Sequence, residues 1–132
     1  MERAVEIFVL INFLVIGLSH TFQAQAWVDF FRVLRSHGKV GSLINGFLSL
    51  TFGSIIVSFH WVWEGIIPTI ITGVGIAQII KSIVAFVFPA IGLKSMQKPM
   101  ATNPKGYQVA GIIFLILTAI LAYHLFIENL EY

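Results

Sequence analysis

Cysteine is absent from all 132 residues, which excludes disulfides, thiolate metal sites and iron–sulfur clusters. Charge is scarce as well. Asp, Glu, Lys and Arg make up 11% of the chain against 58% hydrophobic residues, and the mean hydropathy is +0.92. A soluble domain carries about 25% charged and about 45–50% apolar residues. A chain this short keeps much of its surface exposed, so the outlet left for the excess apolar area is lipid. The formal charge of +2 is too small to imply nucleic-acid binding, and no nucleic-acid partner is expected. Enzyme signatures are missing too: there is no nucleophile elbow, no H-E-x-x-H, no phosphate loop and no intramembrane pair of acids. The expectation is a non-enzyme that needs no cofactor.

What is present is apolar sequence in long runs. A hydrocarbon core of about 30 Å takes about 20 residues of helix. Four stretches qualify, at about 4–22, 41–63, 66–90 and 107–127. Pro68 falls in a first turn, where proline is tolerated, and Pro89 falls where the third span should end. The connecting segments are too short to fold separately. The expected architecture is therefore all-α: a four-helix transmembrane bundle forming one membrane domain over 1–132.

The few charges are unevenly placed. Arg32, Arg35 and Lys39 follow the first span, and Lys94, Lys98 and Lys105 follow the third. The other side has Arg3 with Glu2, Glu6, Glu64, Glu128 and Glu131. Six of the eight basic residues thus share one side, which the positive-inside rule makes cytoplasmic. Both termini and the His60–Gly65 turn are then outside, most naturally of a bacterial inner membrane. Trp61 and Trp63 fit the outer aromatic belt, Trp27 and Tyr107 the inner one. The first 26 residues also have the outline of a signal peptide, with Ala24-Gln25-Ala26 as the cleavage site. Glu2 and Glu6 against a single Arg3 make a poor start for one, and cleavage would put Arg32, Arg35 and Lys39 on the wrong side.

Between spans 1 and 2, Trp27, Phe30, Phe31 and Leu34 follow i, i+3, i+4, i+7, with Asp29, Arg32 and Arg35 elsewhere on the wheel. This predicts an amphipathic helix over about 24–36, lying in the interface with those four residues toward lipid. Its basic edge suits anionic headgroups.

The two halves of the chain read alike. At an offset of 65, Gly41 meets Gly106 and Gly46 meets Gly111, while Phe22 and Phe88 correspond within a residue. A parallel duplication of a two-span unit is one explanation, and shared apolar composition is the other. Through Gly17, Leu18, Phe22, Ala26 and Trp27 (GL…F…AW), each half resembles small two-span bacterial inner-membrane proteins of unknown function. That resemblance implies no chemistry.

Small residues mark where membrane helices touch. Span 2 has Ser42, Gly46, Ser49 and Gly53, and span 3 has Thr69, Gly73 and Ala77 at four-residue steps that continue to Lys81 and Ala85. Spans 2 and 3 are therefore expected to pack through Ser42, Gly46, Ser49, Gly53, Gly73 and Ala77, with Lys81 on the inward ridge. Lys81 is the one basic residue deep in a span, and Asn12 and Ser49 lie at similar depth. An intramembrane lysine costs at least about 2.5–3.5 kcal/mol, so either it reaches water or it answers a partner's carboxylate or an anionic or quinone-like ligand. His60 and His124 share a depth near the outer ends. They are candidate haem ligands, or with Glu64 a metal site.

The leading expectation is a small non-enzymatic accessory, assembly or stabilising subunit that packs against another membrane protein or itself. A small transporter using an Asn12–Ser49–Lys81 polar site comes second, and a haem- or quinone-binding subunit third. The small four-span drug exporters match in size alone: they depend on a glutamate within the first span, where Asn12 is the central polar residue here.

Overall fold

The computed structural model describes residues 1–128, so Glu131 lies outside the described residues. The fold is all-helical, with no strand among those residues. Four helices are long and apolar enough to cross a membrane: α1 (Glu2–Phe22), α3 (Lys39–Phe59), α4 (Ile66–Val87) and α7 (Pro104–Phe126). Three shorter ones intervene, α2 (Ala24–Ser36), α5 (Pro89–Met96) and α6 (Pro99–Thr102). The make-up is that of a multi-pass integral membrane protein.

Local chemistry sets the breaks. Pro89, Pro99 and Pro104 each open a helix, at the position where a missing N–H costs nothing. Gly38 and Gly65 turn the chain with φ of 59° and 94°, a region closed to most side chains. Span 3 thus stops at Val87, short of the expected residue 90, and the segment from Pro89 carries α5 and α6. Span 2 stops at Phe59, short of the expected residue 63. The Thr72 hydroxyl takes over the backbone there, accepting from Val62 N (3.3 Å) and lying within bonding reach of His60 O (3.2 Å) and Val62 O (2.9 Å).

The long helices pack as two pairs. α3 runs along α4 and α1 along α7, while contacts between the pairs are sparse. Small residues allow the close approach within each pair. A Cβ on Gly53 would stand 2.8 Å from Gly75 O and 2.9 Å from Gln78 Cβ, and one on Gly111 would stand 2.8 Å from Gly17 O. The pairs join through one apolar cluster, Val5, Val9, Phe13, Ile56, Ile71, Leu121 and Leu125. Because Val5 and Leu125 meet there, the N-terminus lies at the same end as the close of α7. The other end, with Arg32, Arg35, Lys39, Lys94, Lys98 and Lys105, is the basic end. Large apolar side chains cover the outer surface, among them Ile11, Val15, Phe47, Ile80, Ile112 and Ile116, as lipid contact requires.

At the basic end α2 forms over the expected residues, but its apolar face does not turn outward. Ala24, Val28 and Leu34 are buried, Phe31 stacks on Tyr107 of α7, and Trp27 stacks on His20 of α1. Trp27 also donates its Nε1–H to Ser19 Oγ at 2.8 Å, and Leu34 lies against Gly41 of α3. Of the four residues expected to face lipid, only Phe30 is exposed. The ends of α1, α3 and α7 offer an aromatic and glycine-lined bed, and most of the amphipathic face is covered there, with Phe30 left outward. Arg35 completes the attachment by donating to Met96 O of α5 at 2.9 Å.

Candidate functional site

Three groups of polar residues sit among the long helices. Near the terminal end, Glu6 of α1, His60 after α3 and Thr72 of α4 are buried together. His60 Nδ1 lies 3.1 Å from Thr72 Oγ1, and Nε2 lies 3.3 Å from Glu6 Oε1. With Glu6 ionised, Nε2 carries a proton and donates to the carboxylate. Nδ1 then accepts from the Thr72 hydroxyl in the neutral ring or donates to it in the imidazolium. Among the described residues this is the side-chain hydrogen bond that joins the two helix pairs, as α1 belongs to one pair and α3 and α4 to the other.

Both ring nitrogens of His60 are thereby engaged inside the protein. Ligation of a metal or haem iron at this residue would require giving up Glu6 or Thr72. The other residues of that expectation lie apart. His124 meets Glu128 Oε2 at 2.9 Å at the surface, and Glu64 is exposed in the turn. Among the described residues no three His, Cys, Asp or Glu side chains come together to hold a metal ion.

The second group is the stripe on α4, which faces opposite to expectation. Gly73 has nothing within 4 Å of where a Cβ would be, and Ala77 and Lys81 are exposed. Four-residue steps advance about 40° around a helix at each step, so the row from Thr69 to Ala85 winds across α4 instead of following one side. The contact face repeats at alternating steps of three and four: Thr72, Gly75, Ile79, Ser82 and Phe86. Ser42, Gly46, Ser49 and Gly53 of α3 are all buried. Gly46 lies against Ala85 and Phe86, Gly53 against Gly75, and Ser42 donates to Ala85 O at 3.1 Å.

Asn12, Ser49 and Lys81 do not assemble into a polar site. Asn12 donates to Phe8 O of its own helix at 2.8 Å, Ser49 is buried in the α3 face, and Lys81 is on the outer surface. No hydrogen bond joins any two of them. Lys81 makes no hydrogen bond or ion pair among the described residues, and its helix neighbours Ile80 and Ile83 are exposed beside it. From Val87 it is six residues into α4, about 9 Å.

The third group lies where α1 meets α2 and α7. His20 is buried, its Nδ1–H donating to Ile16 O at 2.9 Å. Its ring stacks on Trp27 with centroids 4.3 Å apart and meets Tyr107 at 5.5 Å and Phe114 at 5.8 Å. Tyr107 in turn donates its hydroxyl proton to Ala101 O at 2.8 Å, fastening α6.

Glu6, Thr72 and the His20 layer were not singled out as sites from the sequence. A signal for Glu6 existed: it shares the i, i+3, i+7 stripe of Val9 and Phe13, which is buried. Comparison of the chain with protein-family models, with curated proteins and with solved structures gave no match. The class that fold and sites define is the multi-pass membrane protein.

Proposed function

We propose that the protein is a non-enzymatic accessory subunit that docks a transmembrane helix of another membrane protein along the open face of α4. The observation that carries this reading is Lys81, an ammonium on the outer surface of a span, without an acid partner among the described residues. In hydrocarbon such a group calls for a counter-charge. The partner's chemistry follows: a transmembrane helix with an Asp or Glu at the depth of Lys81. Beside the lysine, Gly73 and Ala77 leave room for a second backbone to come close. α4 thus has one small-residue face filled by α3 and another unfilled.

The membrane is read as a bacterial inner membrane, with the basic end cytoplasmic and both termini outside; the support is the grouping of Arg32, Arg35, Lys39, Lys94, Lys98 and Lys105. The chain is further read as a duplicated two-span unit. Equivalent contacts support this: Gly46 meets Phe86 where Gly111 meets Thr21, and Gly41 meets Leu34 O where Gly106 meets Met100 O.

Purification in mild detergent tests the docking. Wild type should retain one stoichiometric membrane partner and Lys81→Met should lose it while melting no lower, since the substitution removes a desolvation cost. Lys81→Arg should restore it in part, because a guanidinium keeps the charge but changes the fit. A Lys81→Met protein that keeps its full set of partners would refute the reading.

A further inference from the structure

A groove of about 250 Å³ runs between α6 and α7 at the basic end, lined by Pro99, Met100, Asn103, Lys105, Gly106 and Val109. It is a built feature. Gly106 has no Cβ to hold off Met100 O, so α6 folds back onto the start of α7, and the Tyr107–Ala101 bond keeps it there. One stretch of the lining is apolar and open: Met100 is 61% and Val109 51% exposed. Two exposed residues of the lining carry donors, Asn103 and Lys105. Asn103 Oδ1 accepts from Lys105 N at 3.0 Å, its Nδ2 amide makes no hydrogen bond among the described residues, and the Lys105 ammonium makes no ion pair among them.

We infer that this groove is a binding site for an anionic phospholipid, its phosphate held by Lys105 and Asn103 and the upper part of one acyl chain lying on Met100 and Val109. The inference rests on the four long helices crossing a bilayer, and it is independent of what docks on α4. The placement fits: the groove opens where a span begins, at headgroup level, and the apolar wall continues along α7 toward Ile112 and Ile113, both exposed. A volume below the roughly 300 Å³ of an ordinary small-molecule pocket suits a ligand whose remainder stays in the bilayer. Lys94 and Lys98 on the chain leading into α6 add to the positive field at this end, and a headgroup lysine draws anionic lipid appreciably.

The test uses the full chain in detergent micelles, titrated with phosphatidylglycerol or phosphatidylcholine of the same chains, with bound lipid counted by native mass spectrometry. Phosphatidylglycerol should bind in preference, and Lys105→Gln should weaken it about fivefold. Lys39→Gln removes the same charge from the same end and should leave it unchanged. Equal losses in Lys105→Gln and Lys39→Gln would mean diffuse surface charge and overturn the site. Equal binding of the two lipids, or an undiminished Lys105→Gln, would overturn it as well. Displacement of the lipid by inorganic phosphate at millimolar concentration would make the groove a free-anion site instead.

Discussion

His60 shows how a residue's role depends on neighbours that are remote in the chain. Its position near His124 and Glu64 suggested ligation, yet its partners are Glu6 and Thr72. A buried acid left alone is expensive, whereas a well-packed apolar replacement of both members of a pair is often tolerated. His60→Leu should therefore lower the unfolding free energy in detergent by about 2–3 kcal/mol, by stranding Glu6. Adding Glu6→Leu should recover most of that loss. A double variant as unstable as the single one would show that the two side chains are not coupled. No local pattern announces this pair, since the residues that meet are 54 positions apart. What was legible was Glu6 on the buried stripe of α1, and that clue lay in its register and not in its residue type.

At the scale of the element, the four spans and α2 are readable because length, hydropathy and periodicity determine them. Which side of a helix packs is harder, since two rows of small residues can compete. On α4 the four-residue row looked like the contact, and the row through Thr72, Gly75 and Ser82 is the one that fills the seam. Two glycines separate the cases. Gly53→Ala would press on Gly75 O and Ile79 N and should cost about 1–3 kcal/mol. Gly73→Ala points into open space and should be neutral or slightly stabilising, as alanine is the better helix former. Equal costs by thermal unfolding would reject the assigned face. For α2 the same logic distinguishes adjacent phenylalanines. Phe31, stacked on Tyr107 at 5.9 Å, should cost about 2 kcal/mol on replacement by alanine. Exposed Phe30 should cost under about 0.5 kcal/mol. The amphipathic pattern showed that α2 has an apolar face. It could not show that a bed of His20, Tyr107 and Gly41 waits for that face in place of lipid, because those residues come from three other helices.

Over the molecule as a whole, two closely packed helix pairs meet, among the described residues, in one apolar cluster and one buried polar link, and large apolar side chains face outward. That arrangement leaves α4 with Lys81 exposed beside Gly73 and Ala77, and the proposed docking follows from that geometry. The sequence made Lys81 conspicuous as the lone charge in mid-span. It misjudged the direction, because an inward lysine and an outward one differ by a rotation of α4 that only packing decides. The most direct measurement is photocrosslinking in intact membranes from a benzoylphenylalanine placed at Ala77, with Ile116 on the outer surface of α7 as the control. A single defined adduct from position 77, absent from position 116 and lost in the Lys81→Met background, is the predicted result. Adducts that are the same from both positions, or that persist without the lysine, would contradict the assignment of α4 as the docking face.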